Sequence, residues 1–546
     1  DMIYDNYQEY LGTKYEGASL PRVYHKYIGH DNNRDFVILS QKDTKVISRI
    51  SSHDWFPQVY VDKHQMGTTG IRYFVPPLHD PIAEVVDAEL WSWTGIFGAN
   101  MLKDMTNAGQ AGVGTHTMFD LYWPGASLTS IWKNVIGMLT EAASVKGATP
   151  LYIEPNELSV RGKGLSEYKK GVNLPLPWEG GWWHLSDIVN YEQTSMMSVL
   201  RTASLNKERI LQFRNDLCRK EVSKGKTVAP HYYVLPKNQV EKSEFVDLVN
   251  LLMEHGVDVY RLGSDKVMSG HNLYQGDIVV PLAQAFRPFI KEVMEAQEYP
   301  VRRYTPGGDI IKPYDITSWS LPLHRNVECL YIDELDEDFN NKLEIIKKRF
   351  TLLSGDVPEN SSLVFTSRTN GSFMAAFMAK SKGIKLRRTI KEAEVNGSVI
   401  PAGSFVIKPS AKNRDMVNEI IDRIGVSPLA ITNSKGLETE EVKIPRIAFI
   451  ESLSNMDAGW TRFVLDNYCV PFSVVKPGEL ASIDLEKDFD MVIIPNTSKS
   501  VLMTGRYYAD GRRVYASYHP DLIKGMGSEG LKKLTAFIDT GGKVIA

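Results

Sequence analysis

The sequence has few of the features that would assign it to a special class of protein. Only 3 of its 546 residues are cysteine, and they lie far apart, which excludes a disulfide framework and a Cys-x-x-Cys metal or redox pair. No uninterrupted apolar run approaches the roughly 18 residues that a membrane-spanning helix needs. The net charge is only −3, so we expect neither nucleic acid nor an anionic membrane as a partner.

The common catalytic and cofactor-binding motifs are also missing. There is no His-Glu-x-x-His, no phosphate-binding loop and no Gly-x-Gly-x-x-Gly between a strand and a helix. There is no Gly-x-Ser-x-Gly nucleophile elbow either. What remains is an ordinary globular composition, with 43% hydrophobic and 24% charged residues, and a length that predicts about three to four domains.

Hydrophobic periodicity predicts a mixed α/β chain without an apparent internal repeat. We expect four regions, at residues 1–225, 226–330, 331–442 and 443–546. In the first region the pattern predicts strands over 35–40, 58–64 and 137–144 and helices over 81–105 and 195–225. In the last region strands alternate with helices, which predicts a parallel, doubly wound sheet.

One stretch of chemical interest is VDKHQMG, at residues 61–67. It places His64 at the end of an apolar strand, and ligands of parallel α/β sheets bind at strand ends. A histidine there can hold a metal through one ring nitrogen and be oriented through the other. The alternative is a core histidine that is hydrogen-bonded to the backbone.

Two further stretches carry polar side chains beside predicted strands. Asn33 and Arg34 offer an amide and a planar guanidinium that match a carboxylate, although a polar turn with a surface ion pair would have the same composition. Glu141 follows an apolar strand, where burial would raise its pKa towards that of a general base. A glutamate at a helix N-terminus is the alternative for Glu141.

Taken together and in this order, the three stretches resemble a zinc carboxypeptidase of the carboxypeptidase A-like (funnelin) family, over roughly residues 1–215. The resemblance is to a bacterial branch whose strand has the pattern D-x-H-Q-M-G, followed by R-x-F-V-P-P, and whose general-base segment is G-M-L-T-E-A-A-S. The sequence contains DKHQMG, RYFVPP and GMLTEAAS. The family fold is a mixed-sheet α/β domain, which is what the resemblance implies for the first region.

The resemblance also implies roles for individual residues. It makes His64 a zinc ligand and Glu141 the general base, and it makes Asn33 and Arg34 the clamp for the free C-terminal carboxylate of a peptide. An arginine near the zinc would stabilise the oxyanion, and Arg22 or Arg72 could serve.

The family's mobile tyrosine, which closes over the substrate, has its counterpart close to Phe119. Tyr122 lies one turn further on and is the expected substitute in substrate binding, while Trp123 could line the specificity pocket.

The sequence departs from the family pattern at its start. The early His-x-x-Glu that supplies two zinc ligands is absent, and we expect it in an N-terminal stretch that precedes this chain. The last region, 443–546, resembles the class I glutamine amidotransferase-like (flavodoxin-like) fold and is expected to be incomplete at its C-terminal end. We expect that domain to be structural or ligand-binding.

The function that this resemblance implies is a zinc-dependent metallocarboxypeptidase acting on a peptide or a related amide, including peptidoglycan-derived amides. The alternative is a non-catalytic peptide- or glycan-binding protein on a degenerate carboxypeptidase scaffold. Relatives in this branch are exported, which implies a periplasmic or secreted location. The oligomeric state stays open.

Overall fold

The computed structural model describes most of the chain. The described residues are 5, 8–13, 15, 32–119, 125–145, 148–159, 164–313, 318–352, 360–395, 397–432, 436–452, 456–505, 507–509, 512–514 and 523–546. They form two compact units, one of residues 32–239 and 247–350, the other of residues 1–31, 240–246 and 351–546. The predicted mixed α/β architecture with several sheets is confirmed. Within the described ranges, no helix is long and apolar enough to cross a membrane.

The first region is built around a four-stranded mixed sheet. Its strands are β1 (Val59–Met66), β2 (Tyr73–Val75), β3 (Val113–Thr115) and β4 (Ile136–Ala143), in the order β1-β4-β2-β3. The pairs β1–β4 and β2–β3 are parallel, whereas β2 and β4 are antiparallel. All of β4 is buried, as expected for an apolar strand that is covered on both faces. β5 (Leu151–Ile153) and β6 (Gly181–Trp183) form a separate antiparallel pair.

In the described part of this region, five α-helices accompany the sheet. They are α1 (Lys42–Arg49), α2 (Ala88–Asn107), α3 (Ala126–Trp132), α4 (Leu185–Leu205) and α5 (Lys207–Thr227). The helix predicted from residue 81 begins later because the side chain of Asp87 accepts from Glu89 N at 3.1 Å and caps it there. The single helix predicted over 195–225 is two helices, which meet at Asn206.

The strand predicted over residues 35–40 is wrong. These residues form a turn before α1. The reason is Asp35, which is fully buried and whose carboxylate accepts from Ser40 N and Gln41 N, both at 2.9 Å. The side chains of Ser40 and Thr44 donate to the same carboxylate. A buried carboxylate needs such donors, and the turn supplies them where a strand ladder would not.

The next region forms an antiparallel sheet. Its elements are β7 (Tyr232–Leu235), α6 (Lys242–Glu254), β8 (Tyr260–Leu262), β9 (Lys266–Met268), β10 (His271–Leu273), β11 (Ile278–Pro281), α7 (Arg287–Met294), α8 (Leu321–His324), β12 (Leu330–Ile332), α9 (Glu337–Asn341) and β13 (Leu343–Ile345). The sheet order is β12-β7-β11-β8-β13, and β9 and β10 form a separate hairpin. The domain boundary predicted at 330/331 falls inside β12.

A second antiparallel sheet follows. Its elements are β14 (Ser362–Phe365), α10 (Asn370–Ser381), β15 (Leu386–Thr389), β16 (Ala393–Val395), β17 (Ser398–Ile400), β18 (Phe405–Ile407), α11 (Arg414–Ile424), β19 (Leu429–Ile431) and β20 (Thr439–Glu441). The sheet order is β19-β14-β18-β15-β20, with β16 and β17 as a hairpin. Its core packs Phe365, Ala379 and Ile407 against Ile420.

The two antiparallel sheets have the same topology. Strand for strand, β12-β7-β11-β8-β13 corresponds to β19-β14-β18-β15-β20. From β9 to α7, every element begins 127 residues before its counterpart, as in β9 and β16 (266 and 393) or α7 and α11 (287 and 414). The chain therefore contains an internal repeat, contrary to the expectation from the sequence.

The last region forms a parallel sheet, as predicted. Its elements are β21 (Ile447–Ile450), α12 (Met456–Asn467), β22 (Ser473–Val475), α13 (Leu485–Asp488), β23 (Met491–Ile493), α14 (Lys499–Thr504), β24 (Tyr507–Ala509), β25 (Arg512–Val514), α15 (Gly527–Asp539) and β26 (Lys543–Ile545). The order is β22-β21-β23-β26, and all three pairs are parallel. β24 and β25 form a hairpin.

Candidate functional site

The pairing of β1 with β4 brings two of the predicted site residues together. His64 and Glu141 are register partners across these parallel strands. Partners in register project from the same face of a sheet, so the imidazole and the carboxylate share one face. Glu141 is only 6% exposed, whereas His64 is half-buried.

Asn33 reaches the same face from a short 3₁₀ turn, Asn32–Arg34. Its Nδ2 lies 3.0 Å from His64 Nε2. Its Oδ1 accepts from Ala126 N, the first residue of α3, at 2.8 Å. The contact with Ala126 orients the amide, because it directs the Nδ2 group towards the imidazole. Arg34 is half-buried, and its Nη1 donates to Asn33 O at 3.4 Å.

Asp62 is a site residue that the sequence analysis missed. Its Oδ1 lies 3.0 Å from His64 Nε2, so this ring nitrogen has an amide donor and a carboxylate acceptor at the same distance. A ring nitrogen carries either a proton or a lone pair in the ring plane, and it cannot serve both partners at once. When Nε2 carries the proton and donates it to Asp62, the lone pair lies on Nδ1, which is then the basic nitrogen of the ring. The spacing Asp-x-His was the available signal, because residues i and i+2 of a strand share a face.

A cavity of about 250 Å³ lies beside Glu141. Gln65 and Met66, from the end of β1, form part of its wall, and Phe119 forms another part. Phe119 packs edge-on against Phe74 with ring centroids 5.7 Å apart. The predicted general base therefore borders a space that is large enough for part of a substrate.

Arg72 does not occupy a substrate-facing position. It is fully buried, and its Nη2 donates to Thr68 O at 2.5 Å and to Gly70 O at 2.7 Å. The guanidinium lies 4.5 Å from the ring centroid of Trp178 and 5.1 Å from that of Trp183. Burial lowers the pKa of Arg72 to about 10. These contacts hold the turn after β1, and the role of Arg72 in substrate or oxyanion binding stays a prediction.

Other predicted site residues lie outside the described part of the chain. These are Arg22, Tyr122 and Trp123. Phe119, at the position expected for the mobile tyrosine, is described, and it is buried with φ at +54°.

No group of three His, Cys, Asp or Glu side chains within the described ranges is arranged to hold a metal ion.

Comparison with known proteins found no matching family model, no matching curated protein and no matching solved structure.

Proposed function

We propose that this chain carries the catalytic domain of a zinc-dependent metallocarboxypeptidase, which hydrolyses the C-terminal peptide bond, or a related amide bond, of its substrate. The observation that supports this proposal most is the convergence of Asn33, His64 and Glu141 on one face of the sheet. Three stretches separated by up to 108 residues, 33 to 141 in the numbering, meet beside a cavity.

In this proposal Asn33 and Arg34 bind the free carboxylate of the substrate. Arg34 presents a charged fork that can donate two parallel hydrogen bonds. Asn33 adds an amide donor, held in place by Ala126 N. Positioning of this kind brings the scissile carbonyl to a fixed distance from the base, which is a large part of what an enzyme supplies.

Glu141 acts as the general base. It takes a proton from the attacking water while the water oxygen forms its bond to the carbonyl carbon. As the carbon–nitrogen bond breaks, Glu141 gives that proton to the leaving amine. Its low exposure and its place beside the cavity support this role, because a base of this kind has to reach both the water and the amine.

Zinc is assigned to His64 in the same proposal. A metal-ligating histidine usually donates its other ring N–H to a carboxylate, and Asp62 is placed to accept from Nε2. Catalytic zinc takes three protein ligands, and the described residues do not complete such a set. The remaining ligands would have to come from residues outside the described ranges.

The parallel sheet of residues 443–546 supports a flavodoxin-like, glutamine amidotransferase-like domain, because its strand order places the first strand between the second and the third. Cys469 packs against the apolar cluster of the preceding sheet. We therefore assign this domain a structural or ligand-binding role and not a glutaminase activity.

The test is the substitution Glu141→Gln. We expect kcat on peptides with a free C-terminus to fall roughly 10²- to 10⁴-fold, the contribution typical of a general base. The matched control is Glu192→Gln. Glu192 accepts from Tyr73 Oη at 2.9 Å, and Tyr73 projects from the face of the sheet opposite to Glu141.

The same assay separates the alternatives. If Asn33 and Arg34 bind the terminal carboxylate, a peptide that is amidated at its C-terminus should be cleaved poorly. If zinc takes part in the reaction, a chelator should abolish hydrolysis. Unchanged activity of the Glu141→Gln variant contradicts the proposal. Binding of peptides without hydrolysis by the wild-type protein would instead favour the non-catalytic peptide- or glycan-binding alternative.

A further inference from the structure

Lys133, which directly follows α3, carries an ammonium group that neutral groups enclose. The side chain is buried, and Nζ donates to Ser52 Oγ at 2.7 Å and to His255 Nδ1 at 3.0 Å. The ring centroids of Phe286 and Phe289 lie 5.7 and 4.8 Å from Nζ. None of these four groups is negatively charged. A buried charge is costly unless an opposite charge and hydrogen bonds compensate it.

A small polar cavity adjoins Lys133. Its volume is about 20 Å³, and about 10–15 Å³ is enough to hold one water-sized particle. The described residues of its lining include no aspartate or glutamate. Side chains with hydrogen-bonding groups form much of that lining, namely Ser48, Ser51, Ser52, Thr129, Ser130 and Lys133. The cavity therefore suits a single small polar or charged ligand.

Three of these side chains keep a hydrogen-bond donor for such a ligand. An ammonium has three N–H groups, and Lys133 uses two of them for Ser52 and His255. Ser52 accepts from Lys133 through its oxygen, so its own O–H stays available. Ser48 is 6% exposed, and its Oγ has no hydrogen-bond partner in the part of the chain that the structure describes. A group of donors beside a positive charge favours a ligand that is negative and only accepts hydrogen bonds.

We propose that this cavity binds one small monovalent anion, of the size of chloride, in contact with the Lys133 ammonium and the hydroxyl groups of Ser48 and Ser52. The anion supplies the negative charge that compensates the enclosed ammonium. The site is separate from the cavity beside Glu141, because the two share no described lining residue. The proposal goes beyond the carboxypeptidase function and does not rest on it.

Anion binding at this site is coupled to the protonation of Lys133. Burial lowers the pKa of Lys133 to about 7, and a bound anion raises it again because it favours the charged form. The neighbouring titratable groups stay neutral, since burial lowers the pKa of His255 well below its usual value and raises that of Tyr60, a lining residue, to about 12. His53 is exposed and contacts Glu254 O at 3.0 Å. The affinity for the anion should therefore fall as the pH rises above 7.

The test is urea unfolding at constant ionic strength, with sodium gluconate replaced stepwise by sodium chloride. Gluconate is too large for the cavity and controls for general salt effects. At pH 6.5 we expect about 0.2 M chloride to raise the folding equilibrium constant at least about 10-fold, as a ligand that binds only the folded chain does. At pH 9.5 the rise should be less than about 2-fold. No rise at pH 6.5, or an equal rise at both pH values, would overturn the proposal.

Two variants assign the effect to the site. Lys133→Met should abolish the response to chloride. Ser48→Ala should weaken the apparent chloride affinity several-fold without loss of stability in gluconate, because it removes a buried hydroxyl that has no described partner. The matched control is Ser51→Ala, which should keep the wild-type response, since the Ser51 hydroxyl already donates to Ile47 O at 2.9 Å.

A second measurement locates the anion directly and does not depend on the stability of any variant. Crystals of the wild-type protein grown in sodium bromide at pH 6.5 should show an anomalous peak within hydrogen-bond contact of Lys133 Nζ and Ser48 Oγ. A water molecule at that place without bromide would overturn the proposal. So would a chloride response that Lys133→Met retains, or one that Ser48→Ala and Ser51→Ala weaken equally.

Discussion

Lys133 is a residue that the sequence analysis passed over. It precedes β4 and is buried, and its ammonium donates to Ser52 Oγ at 2.7 Å and to His255 Nδ1 at 3.0 Å. His255 Nε2 in turn donates to Val37 O at 2.8 Å, which fixes Nδ1 as an acceptor. The ring of Phe289 lies 4.8 Å from Lys133 Nζ. Burial lowers the pKa of Lys133 to about 7.

This shift predicts that Lys133 contributes more to stability at alkaline pH than at neutral pH. Between pH 7 and about 10.4 the unfolded chain keeps a proton on Lys133 that the folded chain has released. The contribution of Lys133 to the free energy of unfolding should therefore rise with pH across this window, by up to about 1.4 kcal/mol per pH unit. Urea unfolding at pH 7.5 and pH 9.5 measures the rise.

The Lys133→Met variant should lose most of that rise, and the exposed Lys103→Met variant should keep it. His255 remains neutral throughout, because burial lowers its pKa well below the usual value. A pH dependence that is the same in Lys133→Met and in the wild type would contradict the explanation.

Single residues of the candidate site could be predicted where their neighbours along the sequence give the signal. His64 and Glu141 were found because each ends an apolar strand, and Asn33 because it lies beside Arg34. The burial of Arg72 between Trp178 and Trp183 was not predictable, since those residues are about 100 positions away along the chain. Burial is a property of tertiary neighbours, and the sequence around Arg72 does not specify them.

Among the elements, the turn before α1 shows how one side chain can override a hydrophobic pattern. Residues 35–40 have the composition of a strand, yet Asp35 forms hydrogen bonds with the backbone and side chain of Ser40 and with Gln41. The turn directly follows Asn33 and Arg34, the proposed carboxylate clamp, so Asp35 also fixes the position of these two residues.

We predict that Asp35→Ala destabilises the protein by roughly 2–4 kcal/mol, because buried donors lose a charged acceptor. The variant should also raise KM for free-carboxylate peptides more than it lowers kcat. Lys42→Ala, an exposed position on α1, is the control and should change stability by less than about 0.5 kcal/mol. Urea unfolding and steady-state kinetics measure the two effects, and equal stability of the two variants would refute the role of Asp35.

For the whole molecule, the main finding is the repeated antiparallel module. The hairpin glycines Gly270 and Gly397 occupy equivalent places, with φ at +76° and +75°. Gly276 and Gly403 are equivalent as well, with φ at +95° and +81°. Side chains strongly disfavour this left-handed backbone, so glycine is retained at these turns while most other positions of the repeat differ.

The repeat predicts that the same substitution at equivalent positions of the two modules has the same effect on stability. Gly270→Ala and Gly397→Ala should each cost about 1 kcal/mol, because a Cβ meets no atom within 4 Å at either position and only the backbone conformation resists it. Gly95→Ala, within α2, also meets no atom within 4 Å and has no positive φ, so it should stabilise by roughly 0.5–1 kcal/mol. Chemical unfolding of the three variants provides the comparison, and a large difference between Gly270→Ala and Gly397→Ala would argue against equivalence.

The sequence by itself determined the strands that carry His64 and Glu141, the helical character of most of residues 88–105 and 195–225, the mixed α/β class and the parallel sheet near the C-terminus. Each of these depends on periodicity or on neighbours within a few residues. Only the tertiary structure decided that the two middle regions each form an antiparallel sheet of the same topology, that Asp62 and Asn33 meet at one imidazole nitrogen, and that Arg72 is enclosed by tryptophans. Strand partners and burial depend on contacts between distant parts of the chain, and a local pattern does not encode them.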